Sequence, residues 1–432
     1  MIGEEIHKFA EKLWPLNRSI TGQGVRDTLN LISQHLPNLK IESIKTGTKV
    51  FDWVIPKEWF VRKAYIITPN GEKICDYSKN NLHLIGYSIP FSGKVSLDEL
   101  KNHLYTLPDK PSAIPYVTSY YEERWGFCIS YEELNNLKNG EYEVVIDTIL
   151  FDGVLNYGEL LIKGKSDKEI LLSTYICHPS MANNELSGPS VVTFLANWLE
   201  KKNDLNFSYR IIFVPETIGS IAYLSRYYKI MKKKTIAGFN VSCVGDERAY
   251  SYLPSRNGKT LSDLIAKHVL KWIDPNYVSY TWFDRGSDER QYCAPGIDLP
   301  VASILRTKYG KYPEYHSSLD DLKSVVTPKG LDGGYWAIRQ SIEAIEKNTI
   351  YRNLILCEPQ LGKRGLKSTL STNSSNDQNK NISLIMNFIS FCDGKLSLLE
   401  IAEKLDVPMW DLYDIINVLE KQGIIKREVL NI

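Results

Sequence analysis

Paired cysteines are missing from this chain. The seven present stand at 75, 128, 177, 243, 293, 357 and 392. None shares the close spacing of a zinc ribbon, and an odd, dispersed set favours reduced thiols in the cytoplasm. Long apolar runs are missing too. No uninterrupted stretch approaches the roughly 20 residues needed to cross a bilayer. Charge excess of either sign is absent: 52 Lys/Arg stand against 51 Asp/Glu, a net of +1. That balance argues against whole-protein attraction to nucleic acid or to an anionic membrane. The start, Met1-Ile-Gly-Glu-Glu5, lacks the charged-then-apolar layout of a signal peptide. Internal repeats are not found. What is there is an ordinary globular composition, 43% hydrophobic and 24% charged over 432 residues. The expectation is a cytoplasmic protein of two or three domains with no membrane partner.

Residues 1–41 read as helical, with Ile6, Phe9 and Leu13, then Leu29, Leu31 and Leu36, near helical spacing around the break Arg18-Ser-Ile-Thr-Gly22. From 42 to 165 the pattern changes. Short alternating or β-branched runs such as Val50–Val54, Lys63–Thr68 and Glu143–Ile149 are divided by turn signals such as Pro69-Asn-Gly71. This reads as a β-rich inserted domain. From 166 to 361 strand-like and helix-like runs alternate. Strands are expected at 169–176, 209–215, 236–244 and 301–305, and helices at 190–200, 220–231, 260–271 and 332–348. Such alternation implies an α/β domain with a mostly parallel sheet covered on both faces. Residues 362–380 are polar and nearly free of large apolar groups, which reads as a linker. Residues 381–432 predict helices at 382–391, at 397–405 and from 407 to about 423, then a strand at 424–429, the order of a winged helix.

The most informative stretch is Ser173–Gly188. A strand delivers His178 at its end, and the small-residue turn Leu186-Ser-Gly-Pro189 feeds a helix. Open α/β sheets bind ligands at the carboxyl ends of their strands. Three further candidates follow strands in the same domain: Glu216, Asp246 and His316. Each alone has a bland reading, as a helix-capping carboxylate, a turn residue or a buried imidazole. Together, two imidazoles and two carboxylates at one sheet edge make a mixed N/O shell suited to Zn²⁺, Mn²⁺ or Co²⁺.

With those residues in view, the domain resembles the zinc aminopeptidase superfamily that includes bacterial leucyl aminopeptidase and glutaminyl cyclase. The resemblance rests on His178, Ala182-Asn-Asn-Glu-Leu-Ser-Gly188, Glu216 before Gly219-Ser220, Asp246, Tyr315-His316, Gly286-Ser-Asp-Glu289 and Gly296-Ile297. It covers roughly 1–40 and 165–350. With the β-rich insert and C-terminal winged helix, the whole chain looks like a bacterial family of aminopeptidase-like proteins associated with surface polysaccharide. The resemblance implies a phosphorylase/hydrolase-like mixed sheet flanked by helices, the zinc exopeptidase fold. It also implies one or two zinc ions and hydrolysis of a peptide or amide. His178, Asn184, Glu216, Asp246 and His316 would be the ligands. Glu216 or Glu185 would be the base, and Tyr315 a donor to the developing oxyanion.

Two departures stand out. The family's bridging Asp is replaced by Asn184, with Glu185 beside it, and its Glu-Glu pair is reduced to Glu216-Thr217. One carboxylate cannot be both ligand and base. Either Glu185 takes one role, or the site holds a single metal, or hydrolysis is impaired. Asp288, Glu289, Arg290 and Arg256 are the expected substrate-binding residues: a carboxylate for an amino group, an arginine for an anion.

The winged helix suggests DNA, and its charge argues otherwise. Residues 381–432 hold five Lys/Arg against eight Asp/Glu. DNA affinity rests on basic side chains at phosphates. A protein contact or homo-oligomer through this segment is the expectation. Two functions remain: a metal-dependent hydrolase of the aminopeptidase type, or a catalytically weak binding protein that keeps the scaffold.

Overall fold

The run Glu169-Ile-Leu-Leu-Ser-Thr-Tyr175 shows no polar–apolar alternation, and it forms a strand buried along its whole length. That is the signature of a strand covered on both faces. The structure is a computed structural model and describes residues 1–120, 122–366 and 376–428. The chain folds as two units, 1–263 with 276–337, and 264–275 with 338–432.

The first unit is built on an eight-stranded sheet. Its strands are β1 (Lys40–Lys45), β2 (Val154–Ile162), β3 (Glu169–Tyr175), β4 (Ser208–Val214), β5 (Thr235–Asn240), β6 (Ser251–Leu253), β7 (Val278–Ser279) and β8 (Val301–Leu305). Their order is β1-β2-β4-β3-β5-β8-β6-β7. The four strands anticipated from sequence are the four at the centre, and neighbours among them run parallel. The expectation of a mostly parallel sheet needs correction at the flanks. There β1, β2 and β6 pair antiparallel with their inner neighbours, so the sheet is mixed. Strand β5 also stops at Asn240, four residues short of the predicted end.

A buried cation clamps three of these strands. Arg210 on β4 makes a bidentate pair with Glu169 on β3, at 2.7 and 3.0 Å, and reaches Glu159 on β2 at 2.7 Å. Two fork-shaped contacts to planar carboxylates suit arginine rather than lysine. Behind the site, helix Ser187–Glu200 is apolar on most of its surface and starts against the sheet. Gly188 allows this approach, since a Cβ there would lie 2.5 Å from both Thr174 Oγ1 and the Val241 carbonyl.

The β-rich segment forms a four-stranded antiparallel sheet from Lys73–Ile74, Glu58–Ile67, Glu141–Phe151 and Phe91–Ser96, in that order. Its own core includes Trp59, Ile66, Phe127, Val144 and Ile146. Strand β2 and most of β1 lie inside the expected 42–165 span yet pair into the eight-stranded sheet, so the independent β-structure is narrower than that span.

In the second unit a three-stranded antiparallel sheet runs Asp393–Ser397, Ile350–Asn353, Glu428–Ile425 in spatial order. Helices Asn376–Phe391, Leu398–Leu405 and Tyr413–Lys421 accompany it. The second helix opens with a reciprocal Ser397/Glu400 capping box, a start signal legible in Ser-Leu-Leu-Glu. The linker expected over 362–380 falls partly on residues 367–375, outside the described residues, and from Asn376 the chain is helical. Among the described residues no helix is long and apolar enough to cross a membrane.

Candidate metal centre

Parallel strands deliver the candidate residues to one edge. His178 lies three residues past the end of β3, Glu216 two past the end of β4, and His316 on the long loop after β8. The His178 ring is fixed first. Its Nδ1 is 2.9 Å from Glu185 Oε2, and Glu185 Oε1 in turn accepts from Arg18 Nε at 3.2 Å. Arg18 also donates to the His178 carbonyl at 3.0 Å. The Arg18 and Glu185 side chains are wholly buried. Glu185 reaches this position from the wide turn Ala182–Leu186, whose N–H groups at Asn183 and Asn184 are held by Asp320. A carboxylate on Nδ1 holds one ring proton there, so that Nε2 is the nitrogen left to face a metal.

His178 Nε2 faces Glu216 Oε2 at 3.7 Å, and the His316 ring lies 5.8 Å from the His178 ring, centroid to centroid. Glu216 is oriented by the Ser287 hydroxyl, which donates to its Oε1 at 2.6 Å. Burial and the neighbouring His178 push the His316 pKa down to about 3, so its imidazole is neutral and open to a metal. Burial raises the Glu216 carboxyl, against the opposing pull of His178, Ser287 and Arg290. For His178, burial acts to lower the pKa, and Cys177, Tyr116 and Glu185 outweigh it, so the value is raised and a metal at Nε2 would have to displace a proton.

Two of the donors stand near zinc-ligand spacing, whereas His316 does not bring its donor atom within 4.8 Å of both. Two tetrahedral ligands at ~2.1 Å from one ion sit about 3.4 Å apart, close to the 3.7 Å between His178 Nε2 and Glu216 Oε2. A second acidic and sulfur cluster, Cys177, His178 Nδ1 and Glu185, places its donor atoms within 4.8 Å of one another. It is not a ligand set. The 2.9 Å contact between Nδ1 and Oε2 is a hydrogen bond with no room for an ion, and its work is to orient the ring.

Several expected residues are not brought to this cluster. Asp246 is saturated elsewhere: Oδ1 accepts the Thr307 N–H at 2.8 Å, and Oδ2 accepts the Thr307 hydroxyl and the Arg248 N–H. Strand β5 ends too early to carry Asp246 to the edge, and the residue ties two loops together instead. Asn184 Oδ1 accepts the Tyr175 hydroxyl at 3.1 Å, which uses one of its two lone pairs. Asp288 and Glu289 are fully buried and bind the protein itself. Asp288 takes the Thr217 N–H and the Ser220 hydroxyl at the start of helix Ile218–Lys234, and burial with Glu216 nearby pushes its pKa up to about 8. Glu289 holds Gly286 N–H, Ser287 N–H, the Tyr309 hydroxyl and Asn240. Arg256 is exposed and paired with Asp298. Asp288 and Arg290 both stay beside Glu216; Arg290 is half-buried, with Nη2 on Thr217 Oγ1 and its charge acting on Glu216. Tyr315 is stacked on His316 at 3.9 Å, and burial raises its hydroxyl pKa.

Sequence reasoning missed Tyr116 and Ser287. Tyr116 comes from the β-rich segment, and its ring lies 5.1 Å from His178 and 5.2 Å from His316. Its N–H donates to the His316 carbonyl at 2.9 Å, next to a Pro115–Ser317 bridge. The insert thus forms one wall of the site. No local signal marks Tyr116, because the contact is long-range. Ser287 could have been found in Gly286-Ser-Asp-Glu289, where attention went to the acids.

The sequence matches the family described as "Domain of unknown function (DUF4910)" over residues 7–348, followed by a winged helix-turn-helix over 349–427. A Clostridium acetobutylicum protein, provisionally named for polysaccharide biosynthesis with an aminopeptidase-like domain, is 44% identical over 403 residues, 93% of this chain and 91% of that protein. A crystal structure from the same organism, provisionally described as a peptidase, shares 42% identity with a TM-score of 0.92, covering 99% of this chain and 97% of that one. The zinc aminopeptidase BSAP from Bacillus subtilis shares the fold at 12% identity and a TM-score of 0.58, covering 79% and 94%. The first unit is therefore a mixed α/β structure similar to the zinc aminopeptidase fold, and the chain belongs to the family described as Domain of unknown function (DUF4910).

Proposed function

We propose that this chain is a metal-dependent hydrolase of the aminopeptidase type, cleaving a peptide or amide bond in surface-polysaccharide metabolism. His178 and His316 would hold one zinc ion, and Glu216 would be left free as the base. The observation that carries the reading is the Arg18–Glu185–His178 chain, which spends two buried charges on turning one imidazole nitrogen toward Glu216. The polysaccharide connection is supported by the name of the Clostridium acetobutylicum relative. When bound, zinc supplies Lewis acidity at the scissile carbonyl and a lowered pKa for water. The chain's own residues do the rest. Glu216, oriented by Ser287, accepts a proton at Oε2. Tyr315, held by its stack on His316, donates toward the oxyanion. Arg290 sets the charge beside Glu216. The winged-helix segment, with its acidic excess, serves as a protein-contact module in this reading.

A second reading has its own observation. The sequence offered five ligands and two bases. Of these, Asp246 is occupied elsewhere, Asn184 Oδ1 already accepts a hydrogen bond, and Glu185 is committed to His178. One carboxylate is left for two roles, which favours a binding protein that keeps the scaffold. Glu216→Gln separates the possibilities when zinc content and amide hydrolysis are both measured. As a base, Glu216 leaves zinc in place and activity falls by about 100-fold or more. As a ligand it takes the zinc with it. Wild-type protein with less than about one zinc per ten chains after zinc addition would remove the hydrolase reading.

A further inference from the structure

The corner that carries Glu216 bends in a way few side chains tolerate. Thr217 has φ +64° and ψ −78°, and the Ile218 N–H donates to the Glu216 carbonyl at 2.8 Å. That is the rare, strained form of the γ-turn. A positive φ is uncommon for any residue but glycine, and a genuine outlier for a β-branched one. The chain does place a glycine nearby, but two residues on. A Cβ at Gly219 would lie 2.5 Å from Pro215 Cδ, so that glycine serves close packing and leaves the bend to a threonine.

Strained backbone persists only where its surroundings over-determine it. Asp288 Oδ1 accepts the Thr217 N–H at 2.8 Å, and the Ser220 hydroxyl lies 2.7 Å from the same oxygen and 2.9 Å from the Thr217 carbonyl. Arg290 Nη2 donates to Thr217 Oγ1 at 3.0 Å. Asp288 is fully buried, and its Oδ2 has no hydrogen-bond partner among the described residues. Burying a carboxyl with one oxygen unsatisfied is costly, and the side-chain hydrogen bonds Asp288 does make all go to this corner. The same short segment holds the carboxylate that the corner presents. Ser287 donates to Glu216 Oε1 at 2.6 Å, and Oε2 stands 3.7 Å from His178 Nε2. Ser287, Asp288 and Arg290 thus fix one side chain and the bend beside it.

We infer that Thr217 is a positioning residue for the proposed base: its strained turn, locked by Asp288 and Arg290, aims the Glu216 carboxylate at His178. A β-branched residue at the bend is stiff, whereas a glycine there would leave the chain several settings. Strain is what that stiffness brings with it at a positive φ. The inference rests on the hydrolase reading for its effect on rate but not for the turn, so the two fail separately.

Crystal structures and thermal unfolding of full-chain variants read the turn without any substrate. In Asp288→Ala the Thr217 N–H loses its acceptor, so φ at 217 should return to negative values and Glu216 Oε2 should draw away from His178. Asp288→Asn keeps an acceptor oxygen and should keep the turn. Thr217→Gly removes the strain, so its melting temperature should hold or rise, while the Glu216 carboxylate spreads over more than one position. On aminoacyl and N-acetyl p-nitroanilides, Thr217→Gly should lower kcat by about 10- to 100-fold, with KM and zinc content unchanged. The inference is overturned if φ at 217 stays positive in Asp288→Ala or if Thr217→Gly keeps the wild-type kcat. It is also overturned if Thr217→Gly melts more than about 4 °C below wild type, a loss larger than glycine's flexibility alone gives. Should Asp288→Ala not fold, the melting temperature and carboxylate position in Thr217→Gly decide. Wild-type protein that takes up no zinc and cleaves neither probe removes the hydrolase reading, and the structural and melting comparisons still judge the turn.

Discussion

Arg18 shows how much one buried side chain can be asked to do. It bonds the Leu13 carbonyl, the His178 carbonyl and Glu185, and so links the first helix to the ring of a candidate ligand. Removing one partner of a buried pair leaves an uncompensated charge, at a cost of about 3–5 kcal/mol. Arg18→Ala should therefore lower the stability of the first unit by that amount in urea denaturation. The paired replacement Arg18→Met with Glu185→Leu should cost clearly less than the sum of the single changes. Additive losses would mean that the two side chains do not act together. This pair was only half legible. Arg18 stands in a polar loop whose sequence marks a break between helices, and Glu185 was read as a ligand or base. Residues that follow a strand by two or three positions, such as His178 and Glu216, could be placed from periodicity alone. Asp246 could not, because the error in the end of β5 was larger than the margin that decides whether a side chain reaches the edge.

At the scale of elements, the site depends on helix Ser187–Glu200 starting close against the sheet. The turn that presents Glu185 runs directly into that helix. A Cβ at Gly188 would meet Thr174 Oγ1 and the Val241 carbonyl at 2.5 Å, well inside contact distance. The carbonyl is backbone on a neighbouring segment and cannot rotate away. Gly188→Ala should destabilise the first unit by about 1–3 kcal/mol, the usual range for overpacking. It should also weaken zinc uptake, because Glu185 shifts with the turn. Calorimetry and zinc titration of the variant check both, and a variant with wild-type stability would show that the helix can slide. The central strands were readable because burial on both faces gives continuous apolar runs. Edge strands such as β1, mostly exposed along Lys40–Lys45, carry no such signal. The role of the insert was not readable for a different reason. Its composition describes its own core, whereas its contribution to the site is the position of one tyrosine against the loop that carries His316.

At the scale of the whole molecule, the chain divides into two compact units. The second unit holds a buried histidine with a defined hydrogen-bond pattern. His268 Nε2 accepts the Met409 N–H at 3.0 Å, while Nδ1 faces Glu403. The ring is therefore neutral, with its proton on Nδ1. Burial lowers the His268 pKa below its ordinary 6.5. Glu403 opposes that shift, and Lys271 adds to it. The unfolded chain then binds a proton near pH 6.5 that the folded chain takes only at lower pH. The stability from this neutral ring is complete above about pH 6.5 and is lost as pH falls toward the folded value. Scanning calorimetry between pH 8 and 5 should show the transition of the second unit steady down to about pH 7 and falling below that. His268→Gln keeps an acceptor for Met409 and does not titrate, so its transition should lose this dependence. If the second unit instead gains stability on acidification, the Glu403 contact outweighs burial and the imidazole enters the fold as a cation. The winged-helix unit would then be held by an ion pair, and its melting temperature would fall with added salt, a response that a neutral, hydrogen-bonded ring does not give.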